Sequence, residues 1–471
     1  MPRSDLISLS ALEMARLVRT KAISPLELVD AHLARIAEVS PRVNAFAHLD
    51  PEGARAQARV AETAVIRNDS SQPLLGVPLT IKSSIDVAGL PCECGSRLRQ
   101  GYVAQSDAPL VARLRAAGAV ILGVTNVPEL LMAYETDNLL YGRTNNPWDV
   151  TRTAGGSSGG EAAAIAARCS AAGIGSDGGG SIRVPAHFCG LCGFKPTPGR
   201  IPTTGHFPGT AGPSVLTAVV GPLARRVADL QALFEATAGH DYYDSASAPV
   251  GIRRVRPEDR LGIRIGFFED DGIVPVTAET RAAVRTAAEA LSRQGFTVRP
   301  FRPTGLDEAH ALWLTLFCEA GALHVESMVG DRLRDLHPLS LELLSAGPEA
   351  HRAPFEKLLQ AWVKRDLMRN DLLRQMEDWP VLLCPVAAVP AFRHGERSWQ
   401  IDGQTVKYPE AFSYSQMFNV LGNPAVVVPV GRSPEGLPIG VQVAARPWQD
   451  EVALAVAEQL ETVVGPAALP D

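Results

Sequence analysis

The chain has 471 residues, of which 46% are hydrophobic and 20% charged, a balance typical of a globular protein. Its 45 Lys and Arg against 51 Asp and Glu leave a net charge of −6, which excludes a general attraction to nucleic acid or anionic lipid. No apolar run approaches the roughly 20 residues of a membrane helix. Seven cysteines, an odd number, favour reduced thiols, and the first segment lacks a secretory pattern, so we expect a cytoplasmic protein.

The first 65 residues are predicted to be mostly helical. Ser24 can cap a helix, Pro25 suits its first position, and Glu27 completes a capping box. Residues at helical spacing then follow at Leu28, Val29, His32, Leu33 and Ile36.

From residue 74 the pattern changes to buried strands. Residues 75–81 are short, apolar and bounded by turn residues, and they predict a buried strand that ends at Lys82. Residues 110–117 predict a helix, and 119–124 predict the next buried strand. The order strand, helix, strand predicts parallel pairing with a right-handed crossover.

The rest of the chain alternates between the same two patterns. Helices are predicted at 161–168, from 219 to 229, around 277–293 and over most of 305–378; strands are predicted at 264–268, 297–298, 381–383, 425–430 and 440–444. No repeat or linker divides the chain. We therefore predict one domain over 1–471, with a helical region at 1–65, a core at 74–235 and a variable helical insertion or lid at 305–400.

Short segments of the chain match three familiar functional motifs in part. Residues 173–178 fit the dinucleotide fingerprint G-x-G-x-x-G, but three poor helix formers follow where a helix should open. Residues 156–160 contain G-x-S-x-G around Ser158, a hydrolase elbow that would need an acid and a histidine later in the chain. Zinc ligation is a third alternative, but small or apolar residues flank its candidates, which are Cys92, Cys94, Cys189 and Cys192.

One interpretation accounts for both glycine-rich segments. Residues 153–161 are TAGGSSGGE, residues 175–185 are GSDGGGSIRVP, and residues 188–197 are FCGLCGFKPT. Together these segments resemble the amidase signature family. The resemblance runs from about residue 5 to 465, is weakest across 240–400, and includes TNVPE at 125–129, NPW at 146–148, GPLAR at 221–225 and GLPIGVQ at 436–442.

The resemblance implies a fold and a site. The fold would be α/β, with a central mixed, largely parallel sheet covered by helices on both faces, and residues 74–235 would be the catalytic core. The family's Ser–cis-Ser–Lys unit would correspond to nucleophile Ser181, bridging Ser157 and base Lys82. The oxyanion hole would be formed by the N–H groups of Gly178, Gly179, Gly180 and Ser181. No metal or organic cofactor would be needed.

The residue types also suit amide hydrolysis on chemical grounds. The reaction needs a nucleophile, a base that activates it and a proton donor for the leaving amine. Burial at the end of an apolar strand would lower the pKa of Lys82, so its neutral amine could act as the base. Glycines before Ser181 lack Cβ atoms, so their N–H groups can approach one oxygen.

Two positions depart from the family pattern. Ser83 stands where the family often has an acid, and Cys92-Glu93-Cys94 stands where it often has two threonines. The A-type member of the amidotransferases generally keeps that acid, which argues against this branch. Asp177 and Arg183 are expected to pair and brace the loop, with binding of a substrate carboxylate as the alternative role for Arg183.

The substrate is predicted to be an uncharged small molecule. Four residues align with the segment that lines the acyl channel of the fatty acid amide hydrolases, and all are apolar or aromatic: Leu131, Met132, Ala133 and Tyr134. We therefore predict a serine amidohydrolase of amides and carbamates, with ester side activity, similar to a bacterial subgroup with urethanases. A partner-dependent amidotransferase A-type subunit is the alternative, and a binding protein with an inactive site is less favoured. We expect a monomer or homodimer without nucleic acid or membrane partners.

Overall fold

The computed structural model describes residues 2–68, 71–210, 212–345 and 355–470. The helices in these ranges are α1 (Arg3–Leu6), α2 (Ala11–Arg19), α3 (Pro25–Val43), α4 (Pro51–Ile66), α5 (Pro109–Ala116), α6 (Gly159–Ala166), α7 (Arg183–Cys189), α8 (Val227–Thr237), α9 (Ala278–Arg293), α10 (Ala309–Trp313), α11 (Ala320–Val329), α12 (Pro338–Ser345), α13 (Phe355–Gln375), α14 (Ser413–Val420) and α15 (Asp450–Val464). The strands are β1 (Phe46–Leu49), β2 (Pro78–Lys82), β3 (Val120–Thr125), β4 (Ala172–Asp177), β5 (Cys192–Lys195), β6 (Val219–Ala224), β7 (Arg264–Phe267), β8 (Thr297–Pro300), β9 (Val381–Pro385), β10 (Ser398–Ile401), β11 (Gln404–Lys407), β12 (Ala425–Arg432) and β13 (Pro438–Ala445).

Eleven of these strands form one mixed sheet, in the order β1-β3-β2-β4-β6-β5-β12-β13-β9-β7-β8. Strand β2 pairs in parallel with β3 and β4, and β7 pairs in parallel with β8 and β9. The other neighbours are antiparallel. The predicted α/β fold with a mixed sheet is confirmed, but antiparallel pairings outnumber the parallel ones expected to dominate, because β12 and β13 form a hairpin and β6 runs opposite to both its neighbours.

Helices cover both faces of the sheet, as predicted. Successive residues of a strand point to opposite faces, and along β12 they enter two separate hydrophobic cores. Val426 lies in the core that contains Leu291 of α9 and Leu454 of α15. Val427 lies in the core that contains Phe188 of α7. The sheet is therefore the middle of three layers.

The N-terminal region contains the predicted capped helix. The Ser24 side chain accepts hydrogen bonds from the N–H groups of Leu26 and Glu27, and the Glu27 carboxylate accepts the N–H of Ser24 at 3.0 Å. Helix α3 therefore begins with a capping box, which confirms the prediction. The helical pattern is interrupted at Phe46–Leu49, because this segment pairs with β3 and becomes an edge strand.

The segment 219–229 differs from its prediction as a helix. Residues Val219–Ala224 form β6, which fills the place between β4 and β5, and helix α8 begins only at Val227. Pro222 lies inside the segment and would interrupt a helix, whereas two β-branched valines before it suit a buried strand.

The predicted insertion at 305–400 is largely helical in its described part. Helix α10 continues into α11 through a π-helical turn at Leu314–Glu319. Residues 346–354, which include Pro348 and Pro354, lie outside the described residues. The division of the domain into these regions stays a prediction. None of the described helices is long and apolar enough to span a membrane.

The strand order places the ends of two parallel strands side by side. Strand β2 is buried along its whole length and ends at Lys82. Its parallel neighbour β4 ends at Asp177, and the glycine-rich segment 178–180 follows directly. Because the carboxyl ends of parallel strands meet at one edge of a sheet, this topology brings Lys82 close to the residues after β4.

A buried carboxylate on helix α8 joins this helix to the start of α2. Asp229 of α8 accepts the N–H groups of Ala11 at 3.1 Å and of Leu12 at 3.0 Å, at the start of α2. The substitution Asp229→Ala leaves both donors without this acceptor. We expect the free energy of unfolding to fall by about 1–3 kcal/mol, since buried unsatisfied groups are costly.

Thermal unfolding of Asp229→Ala beside the wild type measures this loss. The matched control is Asp331→Ala, which removes a carboxylate from an exposed position and should leave the melting temperature unchanged. Equal melting temperatures for Asp229→Ala and the wild type would contradict this account of the α2–α8 contact.

Candidate active site

Lys82 lies at the centre of a cluster of serine hydroxyls. Its side chain is fully buried. The Nζ atom donates hydrogen bonds to Oγ of Ser157 at 2.7 Å, Oγ of Ser158 at 2.9 Å and Oγ of Ser176 at 2.9 Å. These three bonds use the full donor capacity of a lysine ammonium group.

Burial changes the proton affinity of Lys82. Desolvation lowers the pKa of Lys82 from 10.5 to about 7, and the nearby charge of Asp177 offsets only part of this effect. Glu161 is itself buried, accepts hydrogen bonds from the hydroxyls of Thr80 and Thr125, and has its pKa raised to about 8 by burial. At neutral pH a substantial fraction of Lys82 therefore carries an unprotonated amine.

Ser157 reaches Lys82 from a tightly packed loop. The Gly156–Ser157 peptide bond is cis. Gly156 has no room for a side chain, because a Cβ atom there would lie 2.5 Å from the carbonyl oxygen of Ala133. The next residue, Ser158, donates its N–H to the carbonyl of Ser181 at 3.1 Å. The two glycine-rich segments are therefore joined directly beside Lys82.

Ser181 follows three glycines after the end of β4. Ser181 is half-buried, whereas Lys82 and Ser157 are buried. Among the residues predicted as nucleophile, bridge and base, Ser181 is thus the most exposed. The structure places all three predicted positions around one loop junction.

Asp177 and Arg183 hold this loop in place. Asp177 accepts the N–H groups of Gly180 at 2.7 Å and Ile182 at 3.1 Å, and it forms a buried ion pair with Arg183 at 3.0 Å. Burial by itself would raise the pKa of Asp177, but the Arg183 charge holds it well below its usual value. Arg183 has no exposed surface, so it braces the loop as expected rather than presenting a charge to substrate.

The carbonyl and N–H groups of the glycine segment differ in their hydrogen-bond partners. The carbonyl of Gly178 accepts the Nε1–H of Trp313 at 2.9 Å, and that of Gly179 accepts the hydroxyl of Tyr134 at 2.9 Å. The N–H of Gly180 is engaged by Asp177 at 2.7 Å, so the predicted role of Gly180 as an open donor does not fit. Within the described chain, the N–H groups of Gly178, Gly179 and Ser181 have no hydrogen-bond partner.

Two of the four predicted channel residues, Ala133 and Tyr134, contact the glycine-rich loops. Tyr134 stacks on Phe412, with ring centroids 3.8 Å apart, and reaches the glycine segment. The Ala133 carbonyl packs on Gly156, as described above. Leu131 and Met132 are half-exposed, and Met132 packs in an apolar cluster with Leu130, Phe207, Ala322, Val325, Val329, Leu336 and others. The structure therefore joins Met132 to helix α11 of the predicted insertion.

The sequence analysis missed two residues whose polar atoms contact the candidate site. Ser176, inside β4, contacts Lys82, and Trp313, in α10, contacts Gly178. Neither position carries a local signal, because each contact joins residues far apart in the chain. Ser158, considered in the sequence analysis only as the centre of a G-x-S-x-G match, also contacts Lys82.

The comparison with family models decides the family. The amidase family model matches residues 27–454, most of the chain. The chain belongs to the amidase family.

Two curated proteins and one solved structure resemble the chain over nearly its whole length. Human fatty-acid amide hydrolase 2 is 30% identical, covering 98% of this chain and 90% of its own. The A-type component of the glutamyl-tRNA(Gln) amidotransferase of Roseiflexus castenholzii is 36% identical, covering 98% and 96%. The crystal structure of a bacterial aryl acylamidase of the amidase signature enzymes superposes with a TM-score of 0.85, at 25% identity over 97% of this chain and 96% of that one.

The cysteines considered as zinc ligands do not come together. Within the described ranges, no group of three or more His, Cys, Asp or Glu side chains is placed to hold a metal ion. Cys92, Cys94, Cys189 and Cys192 are buried free thiols, and burial raises the pKa of each. They are therefore protonated side chains of the amidase core.

The Asp177–Arg183 pair gives a test of how this amidase holds its glycine loop. The substitution Asp177→Asn leaves the Arg183 guanidinium buried without its counter-charge, and we expect a loss of about 3–5 kcal/mol in the free energy of unfolding. Thermal unfolding of Asp177→Asn beside the wild type measures this loss of stability. Asp259→Asn is the matched control, since Asp259 pairs with Arg256 at an exposed site and should change stability little. Equal small effects of both variants would contradict the bracing role.

Proposed function

We propose that this amidase-family chain is a serine amidohydrolase that cleaves the C–N bond of uncharged amides through an acyl-enzyme on Ser181. The observation that carries the proposal is the 2.7 Å contact between the buried Lys82 Nζ and the Ser157 Oγ. A base, a hydroxyl relay and a solvent-facing serine at one loop junction suit acyl transfer. The proposed chemistry uses no metal or organic cofactor.

In the first step, Ser181 Oγ attacks the substrate carbonyl carbon. Its proton passes to Ser157 Oγ, while the Ser157 proton passes to the unprotonated amine of Lys82. Collapse of the tetrahedral intermediate breaks the C–N bond, and the leaving nitrogen takes a proton from Ser157, which regains one from Lys82. Water then attacks the acyl-Ser181 ester and passes a proton through Ser157 Oγ to Lys82. The C–O bond to Ser181 breaks and releases the acid, while Ser181 Oγ takes a proton from Ser157, which regains one from Lys82. Lys82 and both serines end in their starting states.

The proposed oxyanion donors are the N–H groups of Gly178, Gly179 and Ser181. They are the donors around the nucleophile that the described chain leaves without partners. A donor already directed at the developing negative charge stabilises the transition state, by on the order of 3–4 kcal/mol for one such group. The N–H of Gly180 stays with Asp177 in this proposal.

The aromatic residues around the glycine loop support an uncharged acyl or aryl substrate. Tyr134 and Trp313 contact the glycine segment, and Phe317 stacks on Trp313 with ring centroids 5.4 Å apart. Apolar surroundings of this kind suit aryl and alkyl amides and anilides. We extend the proposal to carbamates and to esters as a side activity, since the same nucleophile and donors would serve all three. The assay panel is an aryl amide, an aryl ester, a primary amide and a small carbamate.

A partner-dependent amidotransferase A-type subunit is the second candidate. It is favoured by the 36% identity to the corresponding protein from Roseiflexus castenholzii over 98% of this chain. The two candidates differ in what the chain does alone. A self-sufficient hydrolase turns over members of the panel as a purified chain, whereas a component of an amidotransferase would need its partner.

The proposed roles predict a graded loss of activity. Ser181→Ala should abolish acyl transfer because the nucleophile is gone. Ser157→Ala and Lys82→Ala should each retain a small residual rate, since the nucleophile remains. The double variant Lys82→Ala/Ser157→Ala should be little worse than the poorer single variant, because both residues serve one proton path. Steady-state kcat/KM on the aryl amide measures each loss.

Ser292→Ala is the matched control for these variants. Ser292 lies exposed on α9, so the same loss of a hydroxyl should leave kcat/KM unchanged. Near-wild-type turnover by Ser181→Ala would overturn the assignment of the nucleophile. Additive losses in the double variant would contradict a shared proton path.

The pKa of Lys82 predicts the pH profile. The working base is the unprotonated amine, whose pKa is lowered by burial to about 7. Protonation below that pKa removes the base, so kcat/KM should rise from roughly pH 6 to 8 and then level off. The rise should be steeper for the amide than for an activated ester, whose leaving group needs less protonation. Amide turnover that peaks well below neutrality would exclude Lys82 as the base.

A further inference from the structure

Two side chains from distant segments hold consecutive carbonyls of the glycine loop. Trp313, at the end of α10, donates Nε1–H to the carbonyl of Gly178 at 2.9 Å. Tyr134 donates its hydroxyl to the carbonyl of Gly179 at 2.9 Å. Both side chains approach from outside the loop that carries Ser181.

Each of these bonds fixes the direction of an N–H group. A trans peptide is planar, with its C=O and the following N–H pointing in opposite directions. The Gly178 carbonyl faces Trp313, so the N–H of Gly179 points away from Trp313. The Gly179 carbonyl faces Tyr134, and the N–H of Gly180 on the other side is taken by Asp177 at 2.7 Å. The Gly179–Gly180 peptide group is therefore held at both its C=O and its N–H. The Gly178–Gly179 peptide group is held only at its C=O, by Trp313.

Close packing leaves the loop little room to turn. A Cβ atom at Gly178 would lie 2.4 Å from the Phe317 ring. A Cβ atom at Gly179 would lie 2.7 Å from the Trp313 ring and 2.8 Å from the Tyr134 hydroxyl. Only glycine backbone permits this approach. The indole and phenol thus act as a rigid support behind the loop.

The two supporting side chains are themselves linked. The Tyr134 hydroxyl accepts Nε2–H of Gln416 at 2.9 Å, and Oε1 of Gln416 lies 2.6 Å from Nδ1 of His310. The His310 ring stacks on Trp313, with centroids 6.4 Å apart. Burial raises the pKa of Tyr134 well above its usual value, so its hydroxyl stays a donor.

We infer that Trp313 and Tyr134 are positioning residues that orient the glycine loop so that the free N–H of Gly179 faces the substrate oxyanion. This inference rests on the proposed hydrolase function. It makes residues 309–317, the first helical part of the predicted lid, a component of the oxyanion site. A lid motion that lifted Trp313 would release the Gly178 carbonyl.

The test uses Trp313→Phe and Tyr134→Phe, which each keep an aromatic ring and remove one donor. We expect Trp313→Phe to lower kcat on the aryl amide by about tenfold or more, because its lost bond orients the Gly179 N–H in the transition state. Tyr134→Phe should lower kcat by a smaller factor, about threefold, since Asp177 still holds the N–H of Gly180. KM should stay within about twofold in both variants. The affinity for an arylboronic acid, whose tetrahedral adduct places an oxygen in the oxyanion site, should fall by a similar factor. Trp379→Phe is the matched control, since Trp379 stacks on Phe301 away from the loop.

The outcomes separate this inference from the function on which it rests. End-point titration of Ser181 with a fluorophosphonate gives the active fraction and corrects for misfolded protein. If Trp313→Phe fails to fold, Tyr134→Phe, on another element, decides the question by the same readouts. Unchanged kcat and boronate affinity in a folded variant, with an active wild type, would overturn the positioning role alone. A wild type inactive on the whole panel would instead overturn the proposed hydrolase function.

Discussion

The burial of one lysine at the end of a central strand governs the site. Lys82 closes β2, which lies between two parallel neighbours, and its side chain has lost its hydration by burial. Three serine hydroxyls replace that hydration, from the loop of Ser157 and Ser158 and from Ser176 in β4. The same burial that lowers the pKa of the amine makes it usable as a base near neutral pH.

The glycine loop depends on a second buried charge. The ion pair of Asp177 and Arg183 fixes the turn after β4 from one side, and the aromatic donors Tyr134 and Trp313 fix it from the other. The loop that carries Ser181 is thus held by side chains, while the N–H groups of Gly178, Gly179 and Ser181 have no partner in the described chain. Preorganised donors of this kind spend no free energy on reorientation during the reaction.

Sequence patterns predicted structural features that depend on neighbouring residues, and they missed contacts between residues that are far apart in the chain. The roles of Lys82, Ser157 and Ser181 were carried over from the resemblance to the amidase signature family and stay predictions, whereas β2, β3 and α3 were predicted because their patterns and caps are local. Strand β6 was missed although Pro222 and the two valines before it argue against a helix, because the helical pattern that begins at Val227 was extended backwards over it. Trp313 was seen only as part of a helical insertion, since its contact with Gly178 spans 135 residues. The cytoplasmic location and the monomeric or homodimeric state stay predictions.

The central claim is an acyl-enzyme on Ser181, and mass spectrometry observes it directly. The wild type is mixed with an aryl ester or aryl amide that it turns over, quenched in acid and measured intact, then digested. The account predicts a mass increase equal to the acyl group, located on the peptide that contains Ser181 and absent from Ser181→Ala. Turnover with rapid release of the first product but with the acyl group on another residue would contradict the account.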